Sequence, residues 1–225
     1  MSLDSLIQQL INAPDEATRQ TLVEPITAYG ADAVQPLIGI LGMFPDDDDY
    51  FEEGSDSELH SIAEDMLIAI GTPAVEALIP LLKSASWGER FGAILCLRDI
   101  GDPRAIQPMI LSLIDGDVTA TVDIGIAMEQ FGDVALPYLM DALKHEQPTI
   151  RAGAVFAIRI FKHDDVKASL IELALHDPVY QVRENAVMSL NEFDDKDIIA
   201  LLEQFAADPD NPLSELAQDL LDDRE

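Results

Sequence analysis

Three stretches of the chain share one pattern: GERFGAILCLRDIGDPRAIQPMILSLI (88–114), TIRAGAVFAIRIFKHDDVKASLIELAL (149–175) and QVRENAVMSLNEFDDKDIIALLEQFA (181–206). Each has an Arg near its start, at Arg90, Arg151 and Arg183. Small or apolar residues follow three, four, six and seven positions later, and a large apolar residue at ten. From Arg151 these are Ala154, Val155, Ala157, Ile158 and Phe161; from Arg183 they are Ala186, Val187, Ser189, Leu190 and Phe193. That spacing is one face of an α-helix. A turn with Gly or Asp comes next, and then a second amphipathic stretch.

Outward from these three, the anchor position runs Arg19, His60, Arg90, Thr121, Arg151, Arg183, Ser214, with gaps of 41, 30, 31, 30, 32 and 31 residues. Five gaps agree on about 31 residues, the length of one helical hairpin repeat. The exception is longer by about ten and holds MFPDDDDYFEEGSDSE (43–58). Residues 45–56 therefore read as an insertion between the two helices of one repeat.

Seven hairpins follow. First helices are predicted near 3–12, 32–43, 73–83, 103–114, 134–144, 165–176 and 196–207. Second helices are predicted near 15–29, 58–70, 87–100, 118–131, 149–161, 180–193 and 212–222. Gly30, Gly71, Gly101, Gly132, Asp177-Pro178 and Asp208-Pro209 mark the turns. Pro36, Pro108 and Pro137 share a place in the first helix of three repeats, where a recurrent bend is expected. Alternation of the strand type is nowhere sustained. The fold class is all-α: an α-solenoid of about seven hairpins, expected as one domain over 1–225, with stacking supplying a core that no single hairpin has.

The run Asp177, Pro178, Val182, Arg183, Ala186, Val187, Leu190, echoed by Ile150, Arg151, Ala154, Val155 and Ile158, resembles HEAT repeats. It is most similar to the short HEAT-like class of phycocyanobilin lyase subunits. The resemblance implies an ARM/HEAT-like superhelix. It also implies a ladder between neighbours, made by a turn Asp and an Arg six residues on. Only Asp177 and Arg183 keep both residues, so most of the ladder is degraded. For function the resemblance implies a scaffold or adaptor, or a bilin lyase subunit or phycobilisome-associated chaperone. A DNA-glycosylase-type solenoid would need a basic face.

The charge speaks against that last option. Thirteen basic and 43 acidic side chains give a net charge of −30. A phosphate backbone or an anionic membrane would be repelled, so no nucleic acid and no membrane are expected as partners. There is no basic leader, no apolar run of bilayer length, and a single cysteine, Cys96. These point to a cytoplasmic protein.

A binding surface is expected on the second helices, which line the concave side of such a solenoid. The position five after the anchor, expected to be polar, reads Leu95, Ile126, Phe156 and Met188 in four successive repeats. Phe91 and Val122 extend this strip by a turn, and Arg98 and Arg159 flank it. An apolar trough of this kind suits a partner helix or a basic, amphipathic segment, and a hetero-oligomer is possible. The bland alternative is that helix rotation tucks these residues between repeats as core.

The acidic loop (Asp46, Asp47, Asp48, Asp49, Glu52, Glu53) does not match the alternating oxygen ligands of a calcium loop, because Tyr50 and Phe51 fall at ligand positions. It reads as a solvated segment or a docking site for a basic partner. The four histidines do not cluster at metal spacing, and His60 replaces an anchor Arg as a structural partner. Cys96 sits at a small core position, and Trp87 opens a helix. No catalytic constellation, cofactor motif or metal site is read from the sequence, so the chain is expected to be non-enzymatic.

Overall fold

The computed structural model describes residues 1–43, 55–116, 118–193 and 195–224, and it is helical with no strand among them. The residues Asp46, Asp47, Asp48, Asp49, Glu52 and Glu53 of the acidic loop lie outside the described residues. The chain divides into two compact units, Met1–Ser112 and Leu113–Glu225. The architecture is the expected all-α, α-solenoid type.

The first unit holds α1 (Leu3–Ile11), α2 (Glu16–Thr27), α3 (Ala31–Leu41), α4 (Ser55–Ile70), α5 (Thr72–Leu78), α6 (Trp87–Ile100) and α7 (Ile106–Leu111). Consecutive helices pair as hairpins: α1 with α2, α3 with α4, α5 with α6. The second helices α2, α4 and α6 then stack in order, as do the first helices α1, α3 and α5. Side-chain oxygens start several helices by accepting otherwise orphaned N–H groups. Ser2 accepts from Ser5, Asp15 from Thr18 and Ser86 from Glu89. Gly101 ends α6 in the left-handed region at φ 68°. Gly30, Gly71 and Gly132 also have positive φ, one at each turn from a hairpin to the next. A Cβ is strained there, which is why the repeat keeps glycine at this spacing.

The second unit holds α8 (Val118–Phe131), α9 (Leu136–Ala142), α10 (Pro148–Ile158), α11 (Asp164–His176), α12 (Tyr180–Leu190), α13 (Lys196–Ala206) and α14 (Ser214–Asp222). Helices α8, α10, α12 and α14 stack side by side, and α9, α11 and α13 pack against α10, α12 and α14 respectively. The two later turns begin α11 and α13 from extended His163 and Asp195 instead of a positive-φ glycine.

Each core follows the periodic face. Leu37, Met66, Leu78, Leu97 and Ile106 are fully buried in the first unit, and Ile124, Leu139, Ile158, Leu170 and Val187 in the second. Each such side chain contributes about 1.5–3 kcal/mol on burial.

Two expectations need correction. Helix α4 begins at Ser55, three residues before the expected start, and takes the last two residues of the 45–56 insertion. The prolines do not act alike. Helix α3 runs unbroken through Pro36, whereas Pro108 sits in the six-residue α7, which has 3-10 turns on both sides. Pro137 lies in the first turn of α9, where its missing N–H removes no helical bond.

Candidate functional site

The anchor arginines have one job in common. Arg90 donates to the carbonyls of Ser84 (2.7 Å) and Ala85 (2.9 Å), and Arg151 to those of His145 (2.8 Å) and Glu146 (3.0 Å). Arg183 donates to the carbonyl of Asp177 at 2.8 Å. Each guanidinium thus closes the end of the first helix of its own hairpin, six residues back, where carbonyls lack helical partners. One ladder rung survives between neighbours. Arg151 holds the Asp177 carboxylate with two parallel bonds, of 2.7 and 2.9 Å, while that carboxylate also accepts the N–H of Val179. Paired in this way on a fork, the two nearly buried charges satisfy each other.

The fifth position after the anchor in the second unit is Ile126 on α8, Phe156 on α10 and Met188 on α12; Ile126 and Phe156 line one depression together with Val122, and Met188 is not in its lining. Ile126 is 45% exposed, Val122 42% and Met188 54%. Phe156 is half-buried. Its ring reaches over to α8, where a Cβ on Gly125 would stand 3.0 Å from the Phe156 ring carbon Cε1. Gly125 is the residue that lets the ring lie against the helix backbone.

Two depressions flank that ring. One, of about 270 Å³, is lined by Val122, Ile126, Glu129, Phe156, Arg159 and Ile160. The other, of about 440 Å³, is lined by Val122, Thr121, Thr149, Gln181, Asn185 and Phe156 among others. The first is apolar with one acid and one base on its wall. The second carries hydroxyls and amides. The Arg159 guanidinium lies 3.9 Å from the centre of the Phe156 ring, a cation–π stack.

The remaining strip residues belong to the first unit, on α6. Leu95 and Phe91 are half-buried. Phe91 stacks on Trp87 with ring centres 4.8 Å apart and planes inclined by 11°. Arg98 is ion-paired with Asp99 at 2.7 Å.

The first unit buries a polar cluster of its own. His60 occupies the anchor position on α4 and is 1% exposed, with Nδ1 3.3 Å from Oε1 of Glu64, which is itself buried. Arg19 reaches Glu58 at 2.9 Å. Gly92 on α6 faces the pair, and a Cβ there would lie 3.1 Å from His60 Cε1 and 3.2 Å from Glu64 Oε1. Cys96 is fully buried one turn further on, with its thiol directed at the Glu64 carbonyl at 3.9 Å. Burial, with the Glu64 carboxylate next, pushes its pKa well above the usual thiol value, so the reactive thiolate is suppressed. Among the described residues no group of three or more His, Cys, Asp or Glu could hold a metal ion.

Sequence reasoning did not single out Gly125 or Gly92. Both carried a signal: a glycine inside a helical pattern marks a close approach, and most other repeats place a side chain there. The rung from Arg151 to Asp177 was legible only as a residue type, not as a pairing across hairpins.

The comparison with known families agrees with the helical-hairpin architecture of the second unit. The family of HEAT repeats matches residues 111–191 and, overlapping them, 136–221. Two solved structures of engineered proteins from a structural genomics consortium are similar. One is 18% identical with a TM-score of 0.33, covering 99% of this chain and 98% of that one. The other is 16% identical with a TM-score of 0.39, covering 99% and 96%. Likeness at these scores says nothing about what the chain binds. No curated protein matches. No helix among the described residues is long and apolar enough to cross a membrane.

Proposed function

We propose that this chain, a HEAT-repeat protein, is a non-enzymatic interaction scaffold that docks a partner helix or basic segment on the second-helix face of its second unit. The carrying observation is the exposed apolar surface of Val122, Ile126 and Met188 with half-buried Phe156; the resemblance to HEAT repeats implies polar residues at the fifth position after the anchor, held here by Ile126, Phe156 and Met188. Contiguous apolar surface with a polar rim is a mark of an interaction site, because burying it against a partner is worth about 25 cal/mol per Å². The mechanism is shape and burial rather than bond chemistry. The high negative charge would add steering, raising the association rate of a partner with basic flanks at low salt.

The test is a substitution of the central side chain. Phe156→Asp places a carboxylate where a partner's apolar residue would sit. Partner capture from the native cell, read by mass spectrometry, should fall at least tenfold, while circular dichroism retains the wild-type helicity. Undiminished capture by the variant would remove this surface from consideration.

The sequence resemblance also admits a bilin lyase subunit or a phycobilisome-associated chaperone. The sole thiol, Cys96, is buried, which argues against bilin attachment to this chain. An absorbance shift on mixing with a linear tetrapyrrole would favour that reading; a flat spectrum counts against it.

A further inference from the structure

The wall of the smaller depression carries an arginine and a glutamate that form no ion pair among the described residues. The chain has eight arginines. Among the described residues seven of these are spent on a carboxylate, a main-chain carbonyl or a side-chain amide: Arg19, Arg90, Arg98, Arg104, Arg151, Arg183 and Arg224. Arg159 is the exception. Among the described residues its ring or polar contact is the face of Phe156, and no acceptor for the N–H donors on the guanidinium edge is found among them. Lys83, Lys144 and Lys196 likewise make no ion pair among the described residues, so what sets Arg159 apart is its stack on Phe156 in the wall of the depression. Glu129 lines the same depression and also makes no ion pair among the described residues. The rest of the lining is apolar, with Val122, Ile126, Phe156 and Ile160.

Arg159 is also the residue that follows α10 directly, and a positive charge near a helix C-terminus is favoured by the dipole. Stacked on the ring, the guanidinium is pre-organised, so less side-chain entropy remains to be lost when an acid arrives. A carboxylate meeting it in partly desolvated surroundings forms a charge-assisted bond, roughly twice as strong as a neutral one.

We propose that the Arg159–Phe156 stack is an acid-recognising anchor, and that the occupant of this depression is an amphipathic helix presenting a large apolar side chain flanked by a carboxylate for Arg159 and a base for Glu129. This rests on the docking reading above and sharpens it: the partner is mixed in charge at the contact, not uniformly basic. Opposite charges about one turn apart bracket an apolar residue naturally on a helix, since positions three and four apart share a face. The basic side chain opposite Glu129 agrees with the strongly acidic surface as a whole. The acidic one is what fixes the register.

The experiment is selection of a displayed library of random 16-residue peptides on the full chain, with each enriched peptide re-measured by fluorescence anisotropy against three variants. Phe156→Asp identifies peptides that use the groove. Arg159→Gln keeps the stem and removes the charge, and Glu129→Gln does the same for the acid. Expected are groove-dependent peptides with a conserved large apolar residue beside an Asp or Glu. Their affinity should fall about tenfold on Arg159→Gln, and the fall should vanish when the peptide's own acid is changed to its amide. A smaller loss, about threefold, is expected for Glu129→Gln. Groove-dependent peptides that lack an acid, or that bind Arg159→Gln as tightly as wild type, would overturn the proposal and leave the docking reading standing. Recovery only of peptides indifferent to Phe156→Asp would overturn both.

Discussion

The two units meet the same problem with opposite chemistry. In each, a second helix must approach its neighbour closely, and a glycine two positions after the anchor makes room. In the first unit Gly92 faces the polar pair His60 and Glu64; in the second, Gly153 faces Leu113, whose Cδ1 would be 2.8 Å from a Cβ there. The first unit therefore keeps ionisable groups where α6 meets α4, beside Leu41 of α3. At the matching glycine of the second unit the nearest side chain is apolar, Leu113 of the 3-10 turn before α8, and buried charges sit instead in the fork between Arg151 and Asp177. The difference teaches that the anchor position is not tied to one partner. What recurs at Arg90, Arg151 and Arg183 is the closure of the first helix, and the carboxylate partner is added only where a neighbour supplies it.

The sharpest way to break the comparison is Asp177→Ala. It leaves the Arg151 guanidinium nearly buried without its carboxylate and strips Val179 of its acceptor. A loss of about 3–5 kcal/mol is expected in urea unfolding followed by circular dichroism. A loss under about 1 kcal/mol would mean that the fork adds nothing beyond surface pairing. Next come the two glycines. Gly153→Ala must displace the branched end of Leu113 and should cost about 1–3 kcal/mol despite the better helix propensity of alanine. Gly92→Ala displaces His60, Glu64 and Leu41 by smaller amounts and should cost about 1 kcal/mol. If Gly92→Ala proved the costlier, the polar contact would be the less yielding of the two. The single Trp87 and single Cys96 both belong to the first unit, so fluorescence and thiol labelling read it directly. Cys96 should resist labelling until that unit opens.

The smallest effect expected is at Asp102. Its carboxylate accepts from the N–H and the guanidinium of Arg104, and those bonds hold its pKa below the ordinary carboxylate value. With the folded pKa below the unfolded one, the contribution to stability is present above the unfolded value and is lost as pH falls through the folded one. Asp102→Asn should therefore lower stability slightly at neutral pH and leave it unchanged in strong acid. A pH-independent difference would place the effect in shape rather than charge.

Much of the fold was legible because hydrophobic spacing and turn glycines repeat with the same period. Helix α6 falls where it was expected, at 87–100, and α8 at 118–131. The misses have local causes. The start of α4 lies beside an acidic segment where no apolar period operates. The first helices around Pro80 and Pro108 break into 3-10 turns, since spacing does not distinguish a bent helix from a tightened one. Of the candidate surface, residue types were readable and their surroundings were not. The ring of Phe156 seated on Gly125 joins residues from two repeats, 31 positions apart. No single period announces such a contact; only stacking creates it.

Phe156 stands in the lining of both hollows on the second unit. Val122 lines both as well, so the two hollows share a wall built from α8 and α10. A rotation of that one ring therefore reshapes the apolar hollow and the amide-lined one in the same movement.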